Sequence, residues 1–221
     1  MNRHLSDPGV MATLKAATAE HHRRAEKHEF QQLMVRGALS RDAYAEWLGQ
    51  MLLVHRGLEE HLTKLVASHP AVGAVFDDSR RKVPFLLDDL AFYQGRADSD
   101  PVPATSRFLQ YLDSLAASSP LSLLGALYVL EGSTNGARFI ARRLRTAYDL
   151  PADGGGAAYV DPYGDAQPRR WQEFKDEMEQ LALGEADIRI ITQAAQETFD
   201  AIGAVGGDLL AHTHRVAPPP N

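Results

Sequence analysis

The stretch from Leu123 to Leu144, LLGALYVLEGSTNGARFIARRL, constrains the fold more than any other part of the chain. It begins as an apolar helix carrying Leu123, Leu124, Leu127, Val129 and Leu130. It resumes as a basic amphipathic helix, with Phe139, Ile140 and Leu144 set against Arg138, Arg142, Arg143 and Arg145. Between the halves lies Gly132-Ser133-Thr134-Asn135-Gly136. A mid-helix glycine costs up to about 1 kcal/mol relative to alanine. Two of them predict a kink, or a place where backbone comes very close to a neighbour. Their four-residue spacing puts both on one helical face and leaves a strip without side chains. A tightly packed helix fits such a strip, and so does a flat ligand that meets the backbone directly. A membrane-embedded GxxxG contact does not fit, because Glu131, Asn135 and Arg138 interrupt the apolar run.

The remaining pattern is helical throughout. A first helix is expected over about Ala12 to His28, a segment of good helix formers. A second follows Ser40, a favourable N-cap with Asp42 in the first turn. Its stripe of Tyr44, Trp47, Leu48, Met51, Leu52, Val54, His55, Leu58, Leu62 and Leu65 follows the 3.6-residue period, and it should end near Ser68. Pro70 is expected to begin a break. Further helices are expected over about Val83 to Tyr93, Ser106 to Ala117, from Pro120, Arg169 to Leu183 and Asp187 to Leu210. Gly203, Gly206 and Gly207 should loosen the last. The segment from Pro151 to Pro168, with Gly154 to Gly156, reads as a flexible connection, because no strand precedes it and no Gly-Lys-Ser or Gly-Lys-Thr follows. With no alternating strand pattern and no internal repeat, the expectation is a single all-α domain of about seven or eight helices. It spans residues 11–212, between a flexible N-terminal arm (1–10) and a flexible C-terminal tail (213–221).

Composition narrows the chemistry. A net charge of −6 over 221 residues argues against general nucleic-acid binding. The absence of cysteine excludes disulfides, thiolate catalysis and zinc–thiolate sites, and with them a thiaminase-like mechanism. No apolar run reaches membrane-spanning length, and MNRHLSDPGV carries no signal-peptide core, so a cytoplasmic location is expected. A di-iron site is not expected either, since no paired Glu-x-x-His recurs on two helices. Nine histidines remain as the obvious route to iron ligation.

Three of those histidines lie in or at the end of the first helix. Leu14, Ala17, His21, Ala25 and His28 form one stripe; Lys15, Thr18, His22, Ala25, Glu26 and Glu29 form its neighbour. Small residues at Ala17, Ala19 and Ala25 leave room for a bulky ligand. Glu26, one turn after His22, is placed to accept a proton from the imidazole nitrogen that faces away from a metal. A solvated surface helix has the same pattern, and periodicity does not choose between His21 and His22.

The segment Leu14 to Glu26, LKAATAEHHRRAE, with Phe30 close behind, resembles the proximal helix of heme oxygenases. Leu58-Glu59-Glu60 resembles the family's second helix, and Leu87 to Gly95 its acidic-aromatic segment. Leu130 to Gly136 resembles its glycine-bearing distal helix, most of all that of the bacterial branch associated with bacteriophytochromes. The resemblance runs in order from about Leu14 to Leu210. It implies that His22 ligates heme iron, with Glu26 beside it and Lys175 meeting a propionate; Lys15 is a further candidate for the propionates, and Arg138 with Arg142 for compensating the departure at Glu179. Gly132, Ser133 and Gly136 then form the catalytic distal face. The implied reaction opens heme, both cofactor and substrate, to biliverdin with release of CO and ferrous iron. It uses O2 and electrons from a ferredoxin or flavoprotein reductase, with a bacteriophytochrome as a product acceptor. The chain has no flavin or nicotinamide fingerprint of its own, which suits an external donor.

Three positions depart from the family pattern. Ser133 stands where the mammalian-type family has an aspartate, Ala137 where it has a second paired glycine, and Glu179 where an arginine could reach a propionate. His55 falls where many relatives carry a tyrosine, and reads as a core-edge histidine. The Ser133 departure supports a second reading, a heme-binding or sensing protein of the same fold that does not open the ring.

Overall fold

The computed structural model describes residues 9–151 and 155–216, and among them every regular element is helical. The frame is set by α3 (Arg41–Leu65) and α9 (Glu185–Val216). The Ser40 hydroxyl accepts the Ala43 amide at 3.1 Å and fixes the start of α3. The expected stripe is buried along it, from Tyr44 through Leu48, Met51, Leu52 and Leu58 to Leu62.

The first helix is two helices. α1 (Val10–Lys27) ends at His28, whose backbone is extended, and α2 (Glu29–Arg36) restarts at once. The imidazole of His28 accepts the Phe30 amide at 3.3 Å and so caps the new helix. Gly37, in the left-handed region at φ 65°, closes it. Pro70 opens a helix where a break is expected: it takes the first position of α4 (Pro70–Val75), where its missing N–H costs nothing. α5 (Val83–Phe92) follows the expected span. α6 (Pro103–Ser118) starts earlier than Ser106, again with proline in its first turn.

α7 (Leu123–Ala147) is a single helix that runs through both glycines. Its apolar half lies directly on α9. A Cβ at Gly125 would collide with the Ile191 carbonyl oxygen and stand 2.8 Å from the Ala195 nitrogen, so only glycine permits this approach. α8 (Gln167–Glu179) begins two residues before the expected start. α9 begins at Glu185 and continues through Gly203, Gly206 and Gly207 without loosening. Gly206 has a packing role: a Cβ there would lie 2.9 Å from the Cβ of Phe30, so it lets the α1–α2 junction close onto α9.

The connection after α7 is a strap rather than a flexible link. Asp89 of α5 accepts the Ala158 and Tyr159 amides at 2.9 and 2.8 Å, and the Tyr93 hydroxyl donates to the Gly156 carbonyl at 2.7 Å. Ala157, Tyr159 and Val160 are buried. Residues 152–154, with the first of the three glycines, lie outside the described residues. So do most of the expected arm and part of the expected tail; Val10 already belongs to α1, and α9 extends to Val216.

Candidate functional site

The two histidines that periodicity leaves equivalent differ in three dimensions. α1 runs beside α9: Gln196 donates to the Ala17 carbonyl at 2.9 Å, and Asp200 follows one turn later. His21 is fixed there, with Nδ1 3.0 Å from Asp200 and 2.8 Å from Arg24, which itself pairs with Asp200. The His22 side chain is 57% exposed. Its Nδ1 lies 3.6 Å from Glu26, its ring meets Phe199 edge-on at 5.6 Å, and Nε2 has no hydrogen bond among the described residues. One nitrogen faces a carboxylate and the other is free, an arrangement suited to a single imidazole ligand.

The helix that carries His22 is anchored from α8. Glu179 accepts the Val10 and Met11 amides, both at 3.0 Å, satisfying two orphan donors at the positive end of α1. This gives the Glu179 departure a structural role. Thr18 donates to the Leu14 carbonyl at 2.7 Å and also touches the hydroxyl of Tyr128 on α7.

On α7, the glycine face meets two environments. The position a Cβ would take at Gly132 is 3.3 Å from the indole of Trp171, whereas at Gly136 nothing among the described residues lies within 4 Å beyond its chain neighbours and the helix's own backbone. Ser133, Thr134 and Asn135 each bond back three residues, to the Leu130, Glu131 and Gly132 carbonyls at 2.8, 2.7 and 3.0 Å. Such back-bonds compete with the helix ladder. The Ser133 hydroxyl is thereby engaged with backbone. The side chain of Ala137 lies outside the described residues.

Beside this face, α7 and α8 enclose a groove of about 460 Å³ lined by Asn135, Arg138, Phe139, Arg142, Trp171 and Lys175, among others. The structure thus brings Arg138 and Lys175 together, but their electrostatics differ. Arg138 is engaged by Asp165 at 2.7 Å and Asp161 at 3.8 Å. Lys175 and Arg142 make no ion pair among the described residues. Lys15 is exposed on α1 and does not line the groove. Phe139, 71% exposed, and the half-buried Trp171 add apolar surface. Two uncommitted cations beside aromatic walls suit a flat molecule that ends in carboxylates.

Behind the glycine face lies a buried polar hub that the sequence reading missed. Glu131, 1% exposed, accepts from Lys82 Nζ at 2.7 Å and from the Tyr163 hydroxyl at 2.9 Å, with Arg80 at 3.6 Å. Lys82 is equally buried, which pulls its pKa down, while Glu131 pushes it back up. Burial drives the Tyr163 hydroxyl up, and Glu131 drives it further. Glu59 accepts the Lys82 and Val83 amides at 2.6 and 3.2 Å. His55 is buried, 3.0 Å from the Tyr159 hydroxyl and 3.6 Å from Glu59; desolvation lowers its pKa. One signal was available: a lone Glu131 directly after the apolar run Leu123 to Leu130, on a helix whose preceding turns are buried, calls for a buried counter-ion.

The heme oxygenase family model matches residues 9–206. Human heme oxygenase 1 is 24% identical over 191 residues, 84% of this chain and 66% of that protein, so the chain spans about two thirds of its length. The heme oxygenase of Xanthomonas campestris pv. campestris is 29% identical over 183 residues, 83% of this chain and 93% of its own. In three dimensions, heme oxygenase-2 from Synechocystis in complex with heme and NO is similar with a TM-score of 0.86 at 22% identity, covering 95% of this chain and 89% of that one. The order of helices among the described residues agrees with a family match that runs along nearly the whole chain, and the chain belongs to the heme oxygenase family.

Proposed function

We propose that this chain opens heme to biliverdin, releasing CO and ferrous iron with O2 and external electrons, and that His22 is the proximal ligand. The observation that carries the reading is the contrast between His21, held by Asp200 and Arg24, and His22, whose Nε2 is free. The residues present fit the group. His22 offers one imidazole, Gly136 offers bare backbone, and Lys175 with Arg142 offers charge for two propionates. Bound heme supplies both the iron at which O2 is reduced and the ring carbon that is oxidised. Glu26 orients the His22 ring through Nδ1 and raises its basicity. Phe199 limits tilt of the ring from the α9 side. Gly136 admits the flat ring against α7, and Gly132 lets Trp171 close the inner end of that face. Lys15 and Arg138, the latter already paired with Asp165, are secondary candidates for the propionates.

Electrons come from a ferredoxin or flavoprotein reductase, and a bacteriophytochrome is the proposed product acceptor. No helix of the described residues is long and apolar enough to cross a membrane, and we place the reaction in the cytoplasm. The Ser133 hydroxyl, engaged with the Leu130 carbonyl, favours one second reading, heme binding without turnover. A single-turnover assay separates the two. Wild type and His22→Ala are mixed with hemin, ascorbate or reductase is added in air, and the spectrum is followed. Decay of the heme band into a biliverdin band in wild type, with binding or turnover impaired in the variant, supports the oxygenase. A persistent heme band supports binding alone, and an unchanged His22→Ala variant removes His22 as ligand.

A further inference from the structure

The segment after α7 and the turn before α5 grip the outer side of α7 at successive turns. Tyr163 and Lys82 hold Glu131; the Gln167 amide donates to Thr134 at 2.7 Å and to Asn135 at 3.2 Å; Asp165 holds Arg138; Asp161 stands 3.5 Å from Arg145. The Glu131 contact differs from the others because it is dry. Both carboxylate and ammonium are almost fully buried, and Lys82 also donates to the Arg80 carbonyl at 2.8 Å and the Tyr163 hydroxyl at 2.7 Å. Arg80 continues the hub to α8, stacking on Phe174 at 5.2 Å and pairing with Glu177. Phe174 stacks in turn on Trp171, the residue that meets Gly132. Glu131 is the residue immediately before Gly132. One buried carboxylate therefore fixes both walls that meet at the glycine face: α7 directly, and Trp171 through Arg80 and Phe174.

Such anchoring is needed at this turn. Two glycines and three consecutive back-bonding side chains leave Gly132–Gly136 weak in its own helical preference. A buried ion pair is a poor source of net stability but a strong source of register, since any shift of the helix separates charges that have no water to replace their partner.

We propose that Glu131, with Lys82 as its buried counter-ion and Tyr163 as its second donor, is the positioning residue for the Gly132–Gly136 face, and thereby sets which edge of a bound ring is opened. The second half rests on the heme reading above; the first does not. A shift of α7 along or about its axis changes where the bare backbone presses on the ring and which meso carbon stands beside the Ser133 turn.

The test uses the full chain with Glu131→Gln, and with Tyr163→Phe as the milder variant should the first fail to fold. Backbone amide exchange is measured without heme. The expected result is acceleration of about tenfold or more over residues 132–136, with the central amides of α3 and α9 unchanged. Uniform acceleration in all helices, or none at all, overturns the proposal and leaves the hub a structural feature only. In the second arm the same variants turn over hemin and the biliverdin isomers are separated. A change in the isomer ratio of about twofold or more is expected, and an unchanged ratio in a variant with accelerated exchange overturns the edge-setting role. Wild type that fails to bind or open hemin sinks the functional reading, while the exchange arm still judges the anchor.

Discussion

Gly136→Ala adds one methyl group at a point where, beyond its chain neighbours and its own helix backbone, no atom of the described residues lies within 4 Å. Without ligand the substitution should stabilise the protein. Alanine for a mid-helix glycine is worth up to about 1 kcal/mol, and no neighbour opposes it. In a chain of this size that gain raises Tm by about 2–4 °C. With hemin the sign reverses. A ring seated against the strip meets the new methyl as overpacking, at a cost of about 1–3 kcal/mol. That weakens affinity by about 5- to 150-fold, since 1.4 kcal/mol is a factor of ten. Thermal and urea denaturation of the heme-free protein measure the first effect, and a hemin titration followed at the heme band measures the second. Raised stability with unchanged hemin affinity would refute the claim that Gly136 faces the ligand. Lowered stability would refute the claim that the face is open.

Gly125→Ala should do the opposite without ligand: its Cβ would collide with the Ile191 carbonyl, and overpacking of about 1–3 kcal/mol should outweigh the propensity gain and lower the urea midpoint. Lys175→Met should weaken binding of hemin but not of its dimethyl ester in parallel titrations; equal loss for both would place Lys175 away from the carboxylates. For His55, burial lowers the folded-state pKa below the usual 6.5, so the unfolded chain takes up a proton that the folded chain refuses. Its contribution to stability is therefore present above about pH 6.5 and falls as pH drops, by at most about 1.4 kcal/mol per pH unit. Urea titrations between pH 7.5 and 5.5 should show this decline, and His55→Leu should flatten it; an equal slope in both would remove His55 as the source.

The helical class, most helix boundaries and the family were legible in the sequence because each rests on local signals. Ser40 as a cap, the stripe on α3 and the glycine pair on α7 act through neighbours a few residues away, and their order along the chain carried the resemblance. The points that failed were settled where a local cap or bond depends on packing against a segment distant in sequence. His28 interrupts a strong helical pattern because its ring caps Phe30 beside Gly206 of α9. Residues 155–167 look flexible by composition, yet Asp89, Glu131, Thr134 and Arg138 hold them in place.

By itself, then, the sequence determined that the chain is an all-α member of the heme oxygenase family, with candidate ligands on its first helix and a bare face on α7. Spacing and propensity are properties of the chain, and they suffice for that. Only the tertiary structure decided which histidine keeps a free nitrogen, which cations lack partners, and what holds the glycine face in place. Each depends on which groups meet between segments 27 to 179 residues apart in sequence, and a charge's availability is decided by the partner it finds.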